Sequence, residues 1–326
     1  LVLDRATSLA TQSTLANPQD DTKQSTKFEI QSYLYPELDY RSGIERQDWC
    51  TVLESRYGQD EEKSNYEKLP QNATYKKLRI RINNAGALGR EKLFRQQEGD
   101  LLDMNAVLDN VALVKQGVMG DGDHYIRYRF RKKNINLLLI LDLSASVGNI
   151  VPGQAQTILA LEKAAALMLA DCAREQGDRV AVHGFCSDRR SGVHYYRYLD
   201  FDQPFSSSGL RALQHAEYQY STRMGAALRH GVSFFKDTDT DVRAIIMMTD
   251  GAPSDIDVFD PKYLVEDARS VVRQANKNGI DVYGLVMDPT ALEQTKKIFG
   301  ISHYRMISRA QALHRNLESI YQQIKA

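Results

Sequence analysis

Cysteine is scarce in this chain. Cys50, Cys172 and Cys186 are the whole complement, too few and too scattered for a disulfide framework or a zinc site. A reducing, cytoplasmic setting is the expectation that follows. Net charge is lacking as well, with 42 basic side chains against 42 acidic ones, so nothing draws the chain to nucleic acid or an anionic membrane as its main partner. No apolar run reaches the ~18 residues of a membrane-spanning helix. The common catalytic signatures are missing too: there is no Gly-x-x-x-x-Gly-Lys phosphate loop, Gly-x-Ser-x-Gly elbow, His-Glu-x-x-His pair or Gly-x-Gly-x-x-Gly turn. His183, His194, His215 and His230 stand singly, with no local pattern that orients a base beside a nucleophile. His183, late in a buried strand, is read as a structural histidine. Asp237, Asp239 and Asp241 begin like a calcium loop, but neither the Gly nor the distal Glu follows. Asn72-Ala73-Thr74 matches a glycosylation acceptor, which has no meaning in a cytoplasmic protein. The chain opens on Leu1 rather than Met, so a fragment of a longer protein is expected.

What is present is ordinary globular composition, 42% hydrophobic and 26% charged over 326 residues, enough for one large domain or a domain with an appendage. Residues 1–26 are polar and aperiodic and read as a linker or frayed terminus. From 27 to 54, polar and apolar residues alternate and Phe28, Tyr33, Tyr35, Tyr40 and Trp49 appear. A helical pattern over 75–97 carries Leu78, Ile82, Leu88 and Phe94 on one face, and a second covers 105–116. Residues 124–133 read as a strand with Arg127, Arg129 and Arg131 on one side, either a solvated face or a docking surface for an acidic partner. Thereafter helix and strand alternate: strands at 135–141, 179–185, 193–199, 243–249 and 280–287, helices at 156–175, 224–235, 261–278, 292–299 and 310–324. That alternation predicts an α/β fold with a doubly wound, mostly parallel sheet and a helical and β N-terminal extension. The domain is expected over 134–326, with 27–133 packing on it.

Three separate stretches offer only oxygen donors: Asp142-Leu143-Ser144-Ala145-Ser146, Thr222, and Asp250 in Met248-Thr249-Asp250-Gly251. The first and last follow apolar runs that read as buried parallel strands, so they fall on the rim where open α/β sheets bind ligands. Hydroxyls and carboxylates without His or Cys suit a hard divalent cation such as Mg²⁺. The same residue types also serve as strand-end caps and turn formers.

Asp-x-Ser-x-Ser after a buried strand, then a Thr, then Thr-Asp-Gly after another strand, resembles the metal-ion-dependent adhesion site of von Willebrand factor A domains. The resemblance implies that Ser144, Ser146 and Thr222 present hydroxyls to Mg²⁺. It implies too that Asp142 and Asp250 hold metal-bound waters, and that a partner's carboxylate completes the shell. Asn149 and Ser254 are expected as polar groups on the rim. Further stretches are similar to the NorD/CbbO branch of these domains: Tyr35-Pro36-Glu37-Leu38-Asp39-Tyr40 with Asp48-Trp49-Cys50, Asp100–Ala106, Ser221–His230, and Thr249–Asp257 with Asp260–Leu264. Leu38 stands where that branch usually carries Trp. Membership implies a non-enzymatic adaptor of a MoxR-class AAA+ ATPase hexamer. On the CbbO reading, taken first, the target is Rubisco stalled by inhibitory sugar phosphates. The alternative is a NorD-type factor for nitric oxide reductase. A Mg²⁺-dependent hydrolase using Asp142 would want a second carboxylate two residues on, where Ser144 stands. An extracellular adhesion module would fit poorly with lone cysteines.

Overall fold

The computed structural model describes residues 28–57, 73–84, 88–119, 122–151, 156–203, 208–236, 240–307 and 312–325. Residues 1–26, Asn72, Asp237 and Asp239, singled out above, lie outside the described residues. Two compact units form, one from residues 1–85 and 134–324, the other from 86–133 with 325–326.

The larger unit is built on an eight-stranded sheet. Its strands are β1 (Phe28–Asp39) and β2 (Ile44–Tyr57) from the N-terminal part, then β6 (Ile135–Asp142), β7 (Arg179–Ser187), β8 (Val193–Leu199), β9 (Val242–Thr249), β10 (Ile280–Val286) and β11 (Tyr304–Met306). They lie in the order β1-β2-β8-β7-β6-β9-β10-β11. The ladders are parallel except β1 with β2 and β7 with β8. The α-helices of this unit among the described residues are α1 (Ala73–Asn84), α3 (Ile158–Glu175), α4 (Ser208–Gln214), α5 (Met224–Ser233), α6 (Pro261–Lys277), α7 (Leu292–Phe299) and α8 (Leu313–Lys325). Because β6 and β9 are apolar at every position from 137 to 141 and 244 to 248, their pleats feed both sides of the sheet. Leu137, Leu139, Leu141, Ala244, Ile246 and Met248 pack with α1, α3 and α8. Leu138, Ile140, Ile245 and Met247 pack with α5, α6 and α7. This is the doubly wound arrangement the alternation predicts.

The smaller unit is a three-stranded antiparallel sheet of β3 (Leu88–Gln96), β5 (Tyr125–Lys132) and β4 (Leu101–Leu102), in that order, with helix α2 (Met104–Lys115). Asp103 caps α2 by accepting from the backbone N–H groups of Asn105 and Ala106. Arg127 and Arg129 are exposed on β5.

Three expectations need correction. The extension over 27–133 is not one body: β1 and β2 continue the domain's own sheet, with β2 running parallel to β8 from Val52 opposite Val193 to Arg56 opposite Arg197, while 86–133 cluster separately. The helix expected over 75–97 stops at Asn84, and Leu88 and Phe94 belong to β3. Leu88 and Phe94 follow Ile82 at steps of six, which carry a residue about 240° round a helix but back to the same face of a strand, and Gly86 and Gly89 disfavour helix. Finally, Leu108 and Val111 lie on α2 at helical spacing but are exposed; Ala106 is its buried residue.

Helices α5 and α6 meet through a buried bidentate pair, Arg229 Nη1 and Nη2 donating to Asp267 at 2.9 and 2.6 Å. Asp267 also accepts from the backbone N–H of Leu38 at 2.8 Å, tying in β1. A Cβ on Gly225 would lie 1.9 Å from Asp267 Oδ2. Gly225→Ala is therefore expected to destabilise the protein by about 2–3 kcal/mol through overpacking, read as a lowered urea midpoint at unchanged slope.

Candidate metal centre

β6 and β9 are adjacent parallel strands, and they end side by side with Asp142 and Thr249. From β6 the sheet grows one way through β7 and the other way through β9, so the crevice beyond their carboxyl ends is the switch point of the fold. Asp142 is the last residue of β6, and Ser144, Ser146, Thr222 and Asp250 belong to loops.

After Asp142 the chain turns into a single 3₁₀ turn, Ala145–Gly148. Asp142 is fully buried, and its Oδ1 accepts from the backbone N–H of Ser144 at 2.9 Å. The hydroxyls of Ser144 and Ser146 lie 3.0 Å apart, presented together. The loop before α5 is strapped over this turn: Gln219 N–H donates to Leu143 O at 2.8 Å, and Ala145 N–H to Tyr220 O at 2.9 Å. Tyr220 has φ of 64°, a left-handed conformation uncommon for a tyrosine and costing of order 1 kcal/mol or more. Two residues later the Thr222 hydroxyl lies 3.5 and 3.4 Å from the two oxygens of Asp142. Thr222 is fixed by a reciprocal backbone pair with Ser254, at 2.8 and 3.1 Å.

Asp250 is half-buried and is hydrogen-bonded by the Ser146 side chain. Its backbone carbonyl accepts from Asp288 N–H at 3.1 Å. The structure thus brings Asp142, Ser144, Ser146, Thr222 and Asp250 to one place. Asn149 and Ser254 are both exposed beside it, at the end of the 3₁₀ turn and opposite Thr222.

Two residues not predicted for the site join it. Thr249, fully buried, donates its hydroxyl to Asp142 Oδ2 at 2.8 Å. Glu162, on α3, is fully buried and its pKa is pushed well up by burial and then by the charges of Asp142 and Asp250. Its signal was in the sequence: Ile158, Glu162, Ala165 and Leu169 lie at i, i+4, i+7 and i+11, which puts an acid on an apolar stripe.

The electrostatics are those of acids without a counterion. Burial, and then the charge of Asp250, raise the Asp142 pKa to about 7, against the hydrogen bonds from Ser144 and Thr249. Burial also raises that of Asp250. Among the described residues no Lys, Arg or His forms an ion pair with Asp142, Asp250 or Glu162. No group of three or more His, Cys, Asp or Glu among them is arranged as metal ligands. A cation here would be held by hydroxyls, with acids behind, and the donor set fits a hard divalent ion.

The other sequence candidates fall elsewhere. His183 lies in mid-strand, bonded through Nδ1 to Tyr195 Oη at 2.9 Å and close to Asp200 through Nε2 at 3.4 Å. It is the structural histidine expected. Cys186 is buried and its thiol is pushed up to about 12 by burial, so it is no thiolate. Asp241 accepts from the backbone N–H of Asn134.

The sequence profile of the von Willebrand factor type A domain matches residues 136–323. The chain belongs to that family. It is 29% identical over 293 residues to Protein NorD of Brucella suis, an alignment that takes in 89% of this chain and 45% of that protein. It is 28% identical over 222 residues to Protein NorD of Stutzerimonas stutzeri, covering 68% and 36%. The chain thus spans about half the length, or less, of the curated relatives it matches. Among solved structures, the vWF domain of the pilus tip protein Mfa5 of Porphyromonas gingivalis superposes with TM-score 0.45 at 13% identity, covering 59% of this chain and 95% of that one. The manganese-loaded TRAP protein of Plasmodium vivax gives 0.41 at 15%, covering 56% and 72%.

Proposed function

We propose that this von Willebrand factor A domain is the target-recognition part of a NorD-type accessory protein, engaging a target through a divalent cation at the Asp142–Ser144–Ser146–Thr222–Asp250 cluster. The observation that carries the reading is a hydroxyl set backed by acids that no basic side chain among the described residues neutralises. A bound Mg²⁺ would supply positive charge and a coordination position for a carboxylate of the partner. The chain's residues do the rest. Ser144, Ser146 and Thr222 offer neutral oxygens, which leave the cation's appetite for an anion intact. Asp142 and Asp250 supply charge from behind them. Asn149 and Ser254 offer polar contacts on the rim.

The surroundings suit a protein partner. Every loop carrying a site residue also exposes an apolar side chain: Ile150 after the 3₁₀ turn, Tyr218 and Tyr220 before Thr222, Ile256 and Phe259 after Ser254. Phe259 is 97% exposed. Such a collar expels water on contact, and an ion pair is strong only where water is excluded. Beside Arg223 opens a cavity of about 740 Å³ whose lining includes Trp49 and Phe259. The guanidinium groups of Arg46 and Arg190 lie over the Trp49 ring there, at 4.7 and 3.9 Å from its centre.

A hydrolase reading is less well supported, since Asp142 is fully buried and saturated by donors instead of open to a substrate. The relatives that carry a functional name are called NorD, which favours the nitric oxide reductase–directed alternative over the Rubisco-directed reading taken first. On this proposal a MoxR-class AAA+ ring supplies ATP hydrolysis, for which this sequence has no phosphate loop. The setting is cytoplasmic, in keeping with three free, buried cysteines. No helix among the described residues is long and apolar enough to cross a membrane.

Ser144→Ala and Thr222→Ala are each expected to weaken Mg²⁺ and Mn²⁺ binding at least tenfold by calorimetry, with circular dichroism unchanged. Retention of nitric oxide reductase subunits on immobilised protein should require Mg²⁺ and be lost in both variants. Wild-type affinity in either variant would sink the assignment of the site.

A further inference from the structure

Glu162 has no solvent exposure, and neither of its carboxylate oxygens has a hydrogen-bond partner among the described residues. An unsatisfied buried polar group costs roughly 1–3 kcal/mol, and a charged one more. Its helix neighbours on the same face, Ile158, Ala165 and Leu169, are apolar and buried, so nothing in the packing of α3 calls for an acid. The charges that act on it are those of Asp142 and Asp250, both in the cluster above.

The start of α3 is held against that cluster. Ile158 N–H donates to Asn149 O at 3.0 Å, and Ile150 and Thr157 form a two-residue bridge. One residue on from Glu162, Lys163 Nζ donates to Gln214 O at 3.0 Å and also to Ala216 O, fastening the helix to the strap that leads to Thr222. Glu162 therefore lies between two tethers, each leading to a loop with site hydroxyls, and cannot swing away from them without unpacking the helix.

We propose that Glu162 is a third acid of the cation site, sharing with Asp142 and Asp250 the negative charge that a divalent ion neutralises from behind the hydroxyls. The inference rests on the metal-dependent reading above and extends it by a residue from a different element. Oxygen sites for hard cations set their affinity largely by the number of charged groups around them. Outer groups of this kind typically change metal affinity by 10–100-fold when removed. A carboxyl of no use to packing is then kept because the holo protein needs it, and the metal-free protein bears the strain.

Two variants test this, Glu162→Gln, which keeps the shape, and Glu162→Leu, which fills the space with an apolar group. Mg²⁺ and Mn²⁺ binding would be measured by calorimetry, and thermal midpoints with and without 10 mM Mg²⁺, a concentration of about that order being ample for a site of ordinary affinity. The expected result is a tenfold or greater loss of affinity in both variants. Their metal-free midpoints should equal or exceed wild type, and Mg²⁺ should raise them less. An acid with a merely structural role would give the opposite pairing, a lower metal-free midpoint and unaltered affinity, and that result overturns the proposal. So does a folded Glu162→Leu protein whose affinity is within twofold of wild type, even if Glu162→Gln fails to fold. If wild type takes up neither ion, the metal-dependent reading falls and this one with it. If wild type binds and the variants bind equally, only the role of Glu162 falls.

Discussion

Replacing Arg223 with methionine is expected to destabilise the protein by about 3–5 kcal/mol, the range seen when one partner of a buried ion pair is removed. Arg223 follows the site residue Thr222 and is completely buried. Its guanidinium binds Glu37 from β1, Asp255 through Nε at 3.1 Å, and Asp257. Burial alone would lower its pKa, but the charge of Glu37 beside it holds it above the ordinary arginine value. Glu37 and Asp255 are themselves buried. Asp255 further accepts from Ser187 Oγ at 2.9 Å and from Arg189 N–H at 3.2 Å, so the network joins β1, the end of β7 and the loop carrying Ser254. Without the guanidinium these acids are left in the interior uncompensated. Urea unfolding would read the loss, and Mg²⁺ affinity should fall with it because Thr222 loses its neighbour's anchorage. Adding Glu37→Gln to Arg223→Met should recover part of the loss, since the charge left stranded is then gone. A loss below 1 kcal/mol would show that the hairpin β1–β2 is not tied to the site through this residue.

That network also marks where sequence reading ran out. Arg223 and Glu37 are 186 positions apart, and nothing local in either stretch announces the pairing. The cation cluster was legible for the opposite reason. Apart from Thr222, its residues sit at or just after the ends of strands so apolar that no other assignment fits, and the order of strands in a doubly wound sheet does the rest. Joining β2 to β8 was not legible, because a parallel pairing at long range has no turn to betray it. Three-residue β11 and seven-residue α4 are too short to show a period. Glu162 shows a middle case. Its placement on an apolar stripe was visible, but an acid there is informative only once the charges of Asp142 and Asp250 are known to act on it.

The second large effect is on pH dependence, and it isolates Asp142. Compared with wild type, metal-free Asp142→Asn should gain stability as pH rises from about 4 to about 7, by on the order of 4 kcal/mol, and level off above that. An unfolded aspartate titrates near its ordinary value of 3.8, whereas the folded one titrates at about 7. In that window the native state keeps a proton the unfolded state has given up, so raising pH favours unfolding of the wild type and leaves the amide variant untouched. Taking the difference matters because other groups pull the other way. His183 and His230 are buried with lowered pKa values, so their contribution to stability grows as pH rises through the ordinary histidine range. Those contributions are common to both proteins and cancel. Saturating Mg²⁺ at pH 8 should close most of the gap, since a cation that binds only the native state stabilises it by about 2.7 kcal/mol at a hundred times its dissociation constant, while Asp142→Asn should respond weakly. Chemical unfolding of the pair at pH 5 and pH 8, with Mg²⁺ and with a chelator, gives all four values. A gap that does not change with pH would mean that Asp142 is not held as an acid short of a counterion, and the physical basis for placing a cation beside it would be lost.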